Sequence, residues 1–556
     1  MSSMTTEPEM SDTEASFTPW PAELAERYRR EGLWAGRTFD DVLRDTVAAR
    51  PEHTAVVDAH RQWTYRDLDG KVDALAAGLA DLGVTPGQRV MIQLPNRAEY
   101  IQTVFALFRL GALPVFCLPA HRSAELTALA KSSAAVALVT VDEHEKFDHA
   151  SLALDVAGAV EHDMQVIVLS DSAGGIPDGA VDFGSLRGAP REFARAEPSS
   201  VAFLQLSGGS TGVPKLIPRT HDDYLYSVVR SNEICEVTPD TVYLAALPAA
   251  HNFPMSSPGI LGAVVAGGTV ALTLSPAPSV AFAMIEKARV TMTGLVPPLA
   301  RLWTETAEQG TDFDVSSLVT VLVGGARCPD ELAARVEPAL GARLQQVFGM
   351  AEGLVCYTRF DDPMGIVTTT QGRPMSPFDE VRVVDDHGDD VPAGAEGNLI
   401  TQGPYTIRGY YRNAGANARS FTADGWYRTG DVVRFDDAGN IIVCGRAVDH
   451  INRGGEKVSA EEVEEQLLAH PAVRDAVVVG VPDPYLGNRT CAFVLAADPA
   501  APPRTGTIRK FVRERGLAAW KVPDVVTVLD EFPETGVGKT SRKDLRTLLT
   551  ANAENA

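Results

Sequence analysis

The chain has 556 residues, 45% of them hydrophobic and 22% charged, with a formal net charge of -23. That length exceeds what one hydrophobic core ordinarily organises, so at least two domains are expected, and the acidic balance argues against nucleic acid, whose phosphates are held by surplus lysine and arginine. The six cysteines lie far apart with no CxxC or CxxH spacing, which argues against a disulfide framework or a zinc site and predicts reduced core thiols.

Residues 1–16, MSSMTTEPEMSDTEAS, are polar and acidic. They predict a disordered tail with neither the basic nor the apolar region of a secretory signal, hence a cytoplasmic location. From residue 17 onward, apolar runs alternate with helical patterns. The runs include Arg89–Leu94, Leu113–Leu118, Ala135–Val141, Gln165–Leu169, Val201–Leu206, Val242–Leu247 and Leu318–Val323, while Ala98–Leu110 carries apolar residues at helical spacing. This alternation predicts an α/β class with parallel sheets packed against helices, several strands being buried on both faces.

The stretch from Thr241 to Ile285 contains no Asp, Glu, Lys or Arg. Five prolines and several glycines interrupt it, whereas a membrane-spanning helix needs about 20 mainly apolar residues. The reading is a buried strand-and-loop core and no membrane span. After about Gly388, short strands with Gly-Asp and Gly-Asn turns predict a small β section. Beyond Asp449 come a Gly-Gly loop, an acidic helix over Ala460–Leu468 and a final α+β unit. The expected division is an N-terminal core over 17–448 and a small C-terminal domain over 449–556.

The sharpest chemical feature follows the Val201–Leu206 run: Ser207, Gly208, Gly209, Ser210, Thr211, Gly212, Val213, Pro214 and Lys215. The three glycines free the backbone to turn successive N–H groups toward an anion; the hydroxyls and Lys215 add donors and charge. This composition suits a polyphosphate cradle, although a flexible surface turn would use similar residues. It is not a Walker loop, because Gly212 and Lys215 are too far apart; near the C-terminus Gly538-Lys539-Thr540 has Pro533 where that loop needs its first glycine.

The cradle resembles the phosphate loop of the adenylate-forming superfamily. Four further segments match that family in order: Phe348 to Gly353, Tyr427 to Asp431, Gly445 to Asp449, and Pro533 to Lys539. The resemblance implies an enzyme that uses ATP and Mg²⁺ to convert a carboxylic acid to its acyl-adenylate. It assigns ATP binding to Ser207, Gly208, Gly209, Ser210, Thr211, Gly212 and Lys215, together with Gly324, Gly325, Ala326, Phe348, Asp431 and Arg446. Asp431, read as a carboxylate on a turn after a strand, would take the ribose hydroxyls. Glu352 would hold the metal, as a hard cation prefers oxygen ligands. Lys539 would stabilise charge on the α-phosphoryl group, overriding the usual fate of lysine as a solvated surface residue. Asp449 would be the hinge between two domain arrangements, with His450 standing where many members have Gln. The Arg453-Gly454-Gly455-Glu456-Lys457 loop would face the thiol acceptor in the second arrangement, or serve only as a turn leading into the next helix.

Closer matching of LIPRTHDDYLYS, LPAAHNFPMSSPG and QQVFGMAEGL resembles the aryl-acid AMP ligases of siderophore assembly. This implies an acyl site bordered by His251, also a catalytic candidate, and by Asn252, Phe253, Ser257, Gly349 and Val355. Asn252 can engage a carboxylate or ortho-hydroxyl, and Ser257 a 3-hydroxyl. The implied substrate is 2,3-dihydroxybenzoate or salicylate. The acceptor would be the phosphopantetheine arm of an aryl carrier protein supplied in trans, with coenzyme A the alternative.

Overall fold

The computed structural model describes residues 17–171, 175–207, 214–385, 387–446, 450–533 and 542–553. Among these residues two large sheets form the N-terminal lobe. The first runs in the order Leu216–Thr220, Val201–Leu206, Leu113–Phe116, Arg89–Gln93, Ala137–Val141, Gln165–Leu169, Val181–Asp182. Its neighbours are parallel except for the antiparallel pair of Val201–Leu206 with Leu216–Thr220, the two strands that flank the glycine-rich segment.

The second large sheet has a parallel middle, Arg343–Met350, Thr320–Gly324, Met292–Leu295, Val242–Ala245, Thr269–Leu272 and Thr54–Val57, with antiparallel strands at each end. One core joins the sheets through Val90, Ile92 and Val139 on one side and Val56, Val270 and Leu272 on the other. Helix Ala98–Leu110 is buried on nearly every side, as its continuous apolar run requires, and ends at Gly111 with φ 75°. Its Arg109 is buried but neutralised by Asp40, Asp69 and Asp73 at 2.7–2.8 Å.

The charge-free stretch departs from expectation. It is strand, helix, helix, strand, helix, with helices Asn252–Ser256, Gly259–Ala266 and Pro278–Ala288. Two of its prolines fall where a helix begins: Pro278 is in the first turn of one helix and Pro258 precedes another. A proline there loses no intrahelical hydrogen bond, so it starts helices rather than forbidding them. Among the described residues no helix is long and apolar enough to cross a membrane.

The small β section is an antiparallel sheet of Glu380–Val384, Gly397–Gln402, Tyr427–Phe435 and Ile441–Arg446. In its DDAGN turn the Asp436 carboxylate accepts the Ala438 and Asn440 N–H groups at 2.9 and 2.8 Å. The chain changes sheets between Arg446 and His450. Strands His450–Arg453, Glu456–Ser459, Val473–Asp483, Gly487–Ala496 and Val525–Leu529 form the C-terminal sheet. The lobes meet at buried charges. Glu125 accepts the Ala518 N–H (3.0 Å) and the Lys521 ammonium (3.2 Å), and Lys521 also reaches Glu462 at 2.9 Å. All six cysteines are free; five are buried, but Cys444 is exposed, contrary to the expectation of core thiols throughout.

Candidate active site

A cleft of about 910 Å³ lies where the first lobe meets the C-terminal lobe. At one end the segment after Val201–Leu206 begins with buried Ser207, whose N–H donates to the Lys215 carbonyl at 3.0 Å. The Ser207 hydroxyl is buried with no hydrogen-bond partner among the described residues. Gly208, Gly209, Ser210, Thr211 and Gly212 lie outside the described residues, so the cradle is seen here through its two ends.

Lys215 places its ammonium 4.3 Å from the centre of the Tyr410 ring and donates to that phenol at 3.3 Å. The same phenol donates to Glu352 at 2.9 Å and lies 3.3 Å from the Tyr427 hydroxyl. Burial and the Glu352 charge push the Tyr410 phenol well above its ordinary value, so it remains a neutral donor between cation and carboxylate. Glu352 sits in the tight turn between antiparallel strands Arg343–Met350 and Gly353–Tyr357 and is buried. Arg219 clamps this turn, donating to the Ala351 and Tyr405 carbonyls at 2.8 and 2.9 Å while bonded to Asp223. A buried carboxylate oxygen facing the cleft is the donor type a magnesium ion takes. Among the described residues no group of three or more His, Cys, Asp or Glu side chains forms a metal cage, so such an ion would draw its other ligands from phosphate and water.

Asp431 corrects an expectation. It lies within strand Tyr427–Phe435 rather than on a turn, directly across from Arg446 in the register. Gly430, at φ 76°, and a register shift after Val432 bend the strand there. Asp431 is buried, its N–H donates to Thr429 at 3.0 Å, and it lines the cleft. Gly325, Ala326 and Phe348 line the same end. Gly324 stands just behind: a Cβ there would meet the Val347 carbonyl at 2.8 Å and the Phe253 ring at 3.3 Å.

The other end is apolar with few polar groups. His251 caps helix Asn252–Ser256, its Nδ1 accepting the Phe253 N–H at 3.3 Å. Asn252, Phe253, Ser257, Gly349 and Val355 follow around the wall. Gly349 pairs with Val355 across two strands, and a Cβ at 349 would lie 3.2 Å from the Val355 side chain. Ser257 is buried beside the phenol of Tyr357, whose hydroxyl donates to Ser231 at 2.8 Å.

The C-terminal lobe closes the cleft with the hairpin between His450–Arg453 and Glu456–Ser459. Gly454 and Gly455 have φ of 60° and 92°, and a Cβ at Gly455 would fall 2.7 Å from Val296. The turn therefore approaches the first lobe as only glycine permits, and Asn452, Gly455 and Glu456 line the cleft. Lys539 and Asp449 lie outside the described residues. The sequence reading missed Tyr410, Tyr224, Tyr357 and the Glu125–Lys521 contact. Tyr224 had a local signal, the Thr-x-x-Asp capping box of Thr220 and Asp223 that starts its helix; the others had none.

Comparison with known proteins agrees with this geometry. The model of the AMP-binding enzyme family matches residues 43–411, and that of the AMP-binding enzyme C-terminal domain matches 462–539. The chain is 54% identical over 530 residues to a 2,3-dihydroxybenzoate-AMP ligase of Bacillus subtilis, covering 95% of this chain and 97% of the relative. It is 44% identical to a salicyl-AMP ligase / salicyl-S-ArCP synthetase of Mycobacterium tuberculosis, covering 95% and 93%. The apo structure of Mycobacterium smegmatis MbtA superposes with a TM-score of 0.74 at 45% identity, covering 97% of this chain and all of that one. With both family models matched and these relatives covered over nearly their whole length, the chain belongs to the AMP-binding enzyme family, and within it to the aryl-acid AMP ligases.

Proposed function

We propose that the protein activates 2,3-dihydroxybenzoate or salicylate with ATP and passes the aryl group to the phosphopantetheine thiol of an aryl carrier protein in siderophore assembly. The observation that carries this reading is the union of two ends in one cleft. Glu352, Tyr410 and Lys215 form a cation-and-carboxylate end suited to phosphates, and Asn252 is set into an apolar wall at the other.

In the first step a carboxylate oxygen of the acid attacks the α-phosphorus of ATP, a new O–P bond forms and pyrophosphate leaves. Lys215 and the hydroxyl of Ser207 supply donors to the phosphates, Asp431 accepts from the ribose hydroxyls, and Arg446 stands at the nucleotide. Magnesium, when bound, screens phosphate charge, and Glu352 would hold it. Lys539 is assigned to the charge that builds on the α-phosphoryl oxygens. In the second step the carrier thiolate attacks the aryl carbonyl carbon and AMP departs. The glycine turn at 454–455, pressed on Val296 at the cleft mouth, supports a role beside the incoming thiol. Asp449 is taken as the hinge, with domains over 17–448 and 449–556, and the reaction is placed in the cytoplasm, where ATP is abundant.

Ser257 beside Tyr357 supports 2,3-dihydroxybenzoate over salicylate, as does the relative at 54% identity. The test is ATP–pyrophosphate exchange with benzoates, amino acids and fatty acids, followed by coenzyme A or a pantetheinylated carrier. Exchange confined to hydroxybenzoates, with transfer to the carrier, is expected. Exchange with fatty or amino acids alone overturns the substrate; transfer only to coenzyme A overturns the acceptor.

A further inference from the structure

Asn252 offers two N–H donors and one carbonyl acceptor, and which edge meets the acid decides what the site accepts. Helix His221–Ile234, opened by its capping box, carries Tyr224 in its first turn. The Tyr224 hydroxyl lies 2.6 Å from Asn252 Oδ1, and the Ser256 hydroxyl lies 2.6 Å from the Tyr224 oxygen. We propose that Tyr224 is a positioning residue: backed by Ser256 and Arg219, it holds the carbonyl edge of Asn252 and turns the NH₂ edge toward the bound acid, so that the site selects acids with an acceptor oxygen ortho to the carboxyl. The proposal rests on the aryl-acid reading above.

A phenol has one proton. Given to Asn252, it leaves the oxygen lone pairs to receive the Ser256 proton, and the chain of donors closes without conflict. The reverse polarity would have the amide donate to the phenol and the phenol donate to Ser256. The phenol donates in either arrangement, and its proton prefers the amide carbonyl, a stronger acceptor than a serine hydroxyl; Arg219 sharpens that preference. Its guanidinium carbon lies 4.7 Å from the centre of the Tyr224 ring and is pinned by Asp223, Ala351 and Tyr405. Fixed positive charge over the ring draws electron density from the oxygen and makes the phenol the better donor. Burial still keeps the proton in place, pushing the phenol up to about 12. The ring cannot swing away, being 2% exposed and edge-on to Phe203 at 4.7 Å.

The Asn252 nitrogen has no hydrogen-bond partner among the described residues and stands at the cleft wall. A 2-hydroxybenzoate turns its phenolic proton to its own carboxylate, leaving an oxygen lone pair for that nitrogen. A 2-aminobenzoate directs N–H groups at N–H groups, and an unsubstituted benzoate leaves the amide unpaired, so both are disfavoured.

The test is exchange kinetics for 2-hydroxybenzoate, benzoate and 2-aminobenzoate in the full chain and in Tyr224→Phe, Ser256→Ala and Tyr226→Phe. Tyr224→Phe keeps the ring and frees the amide. Its kcat/KM ratio of 2-hydroxybenzoate to benzoate should fall by about tenfold, the worth of one hydrogen bond near the upper end of its usual range, and relative use of 2-aminobenzoate should rise. Ser256→Ala should shift the ratio in the same direction by about threefold. Tyr226→Phe, a buried tyrosine of the same helix bonded instead to Ser376, should leave it unmoved. An unchanged ratio in a folded Tyr224→Phe overturns the proposal, as does an equal fall in Tyr226→Phe. If the unmodified enzyme exchanges with none of the three acids, the aryl-acid reading itself falls.

Discussion

The acyl end of the cleft and the joint between the lobes both bury polar groups, but they are held in different ways. At the acyl end the contacts are neutral and internal to the first lobe: Ser256 to Tyr224 to Asn252, each 2.6 Å, and Tyr357 to Ser231 at 2.8 Å. At the joint they are ionic: Lys521 binds Glu462 of its own lobe and crosses to Glu125 of the first. A neutral network survives movement of the second lobe because nothing in it belongs to that lobe. An ionic joint exists only while the lobes are docked, and its charges regain water when they part, so its desolvation largely offsets its attraction. Contacts at the acyl end would thus persist through the proposed domain alternation, while those at the joint are nearly balanced against solvent.

Four experiments test that contrast. The largest effect is expected from Lys539→Ala, which should lose roughly 10²–10³ in aryl-AMP formation, the scale of one electrostatic stabiliser. Transfer from preformed aryl-AMP should be affected far less, and single-turnover assays of each half-reaction separate the two.

Next is acid destabilisation, which both regions should share. His221, behind the acyl end, is lowered to about 3 by burial, with Asp41 opposing and Arg195 assisting. His121, at the joint, is lowered to about 4 by burial; Glu125 opposes, while Lys521 and Arg122 assist. Both values lie below the ordinary histidine value of about 6.5, so folding favours the neutral ring. The stability this provides is complete above pH 6.5 and is lost as pH falls through about 4 and then 3. Unfolding free energies from urea titrations should decline over that window by up to ~1.4 kcal/mol per pH unit per histidine. His121→Gln should reduce the slope only above about pH 4, and His221→Gln should reduce it all the way down to about pH 3.

Glu125→Gln should weaken docking and slow aryl transfer by about tenfold, while exchange changes no more than about twofold, because a single buried partner of Lys521 is neutralised. Equal losses in both half-reactions would mean that the joint serves folding rather than alternation. The smallest effect is expected from Ser257→Ala. Competition assays should show the preference for 2,3-dihydroxybenzoate over salicylate falling by about fivefold, near 1 kcal/mol.

Much was legible in the linear chain because the responsible forces are local. Apolar runs such as Val201–Leu206 and Thr320–Val323 form strands since their side chains must be buried on both faces. The glycines at 454–455 announce a turn because positive φ excludes most other residues. The prolines between Thr241 and Ile285 misled because the same ring that breaks a helix interior suits a helix start. Asp431 misled because its glycine neighbour bends a strand instead of ending it.

Contacts between distant segments had no such signal. Tyr410 reaches Glu352 across 58 positions, and Lys521 reaches Glu125 across 396. Hydrophobic pattern established the class of fold, which follows from short-range backbone preference and burial, and the resemblance carried by five short segments supplied the adenylating chemistry and most of the residues that line the cleft. Which tyrosine aims Asn252, which cation stands over that ring, and which charges join the lobes emerged from the folded arrangement, because a hydrogen bond or ion pair depends on distances of a few ångströms that chain order does not encode.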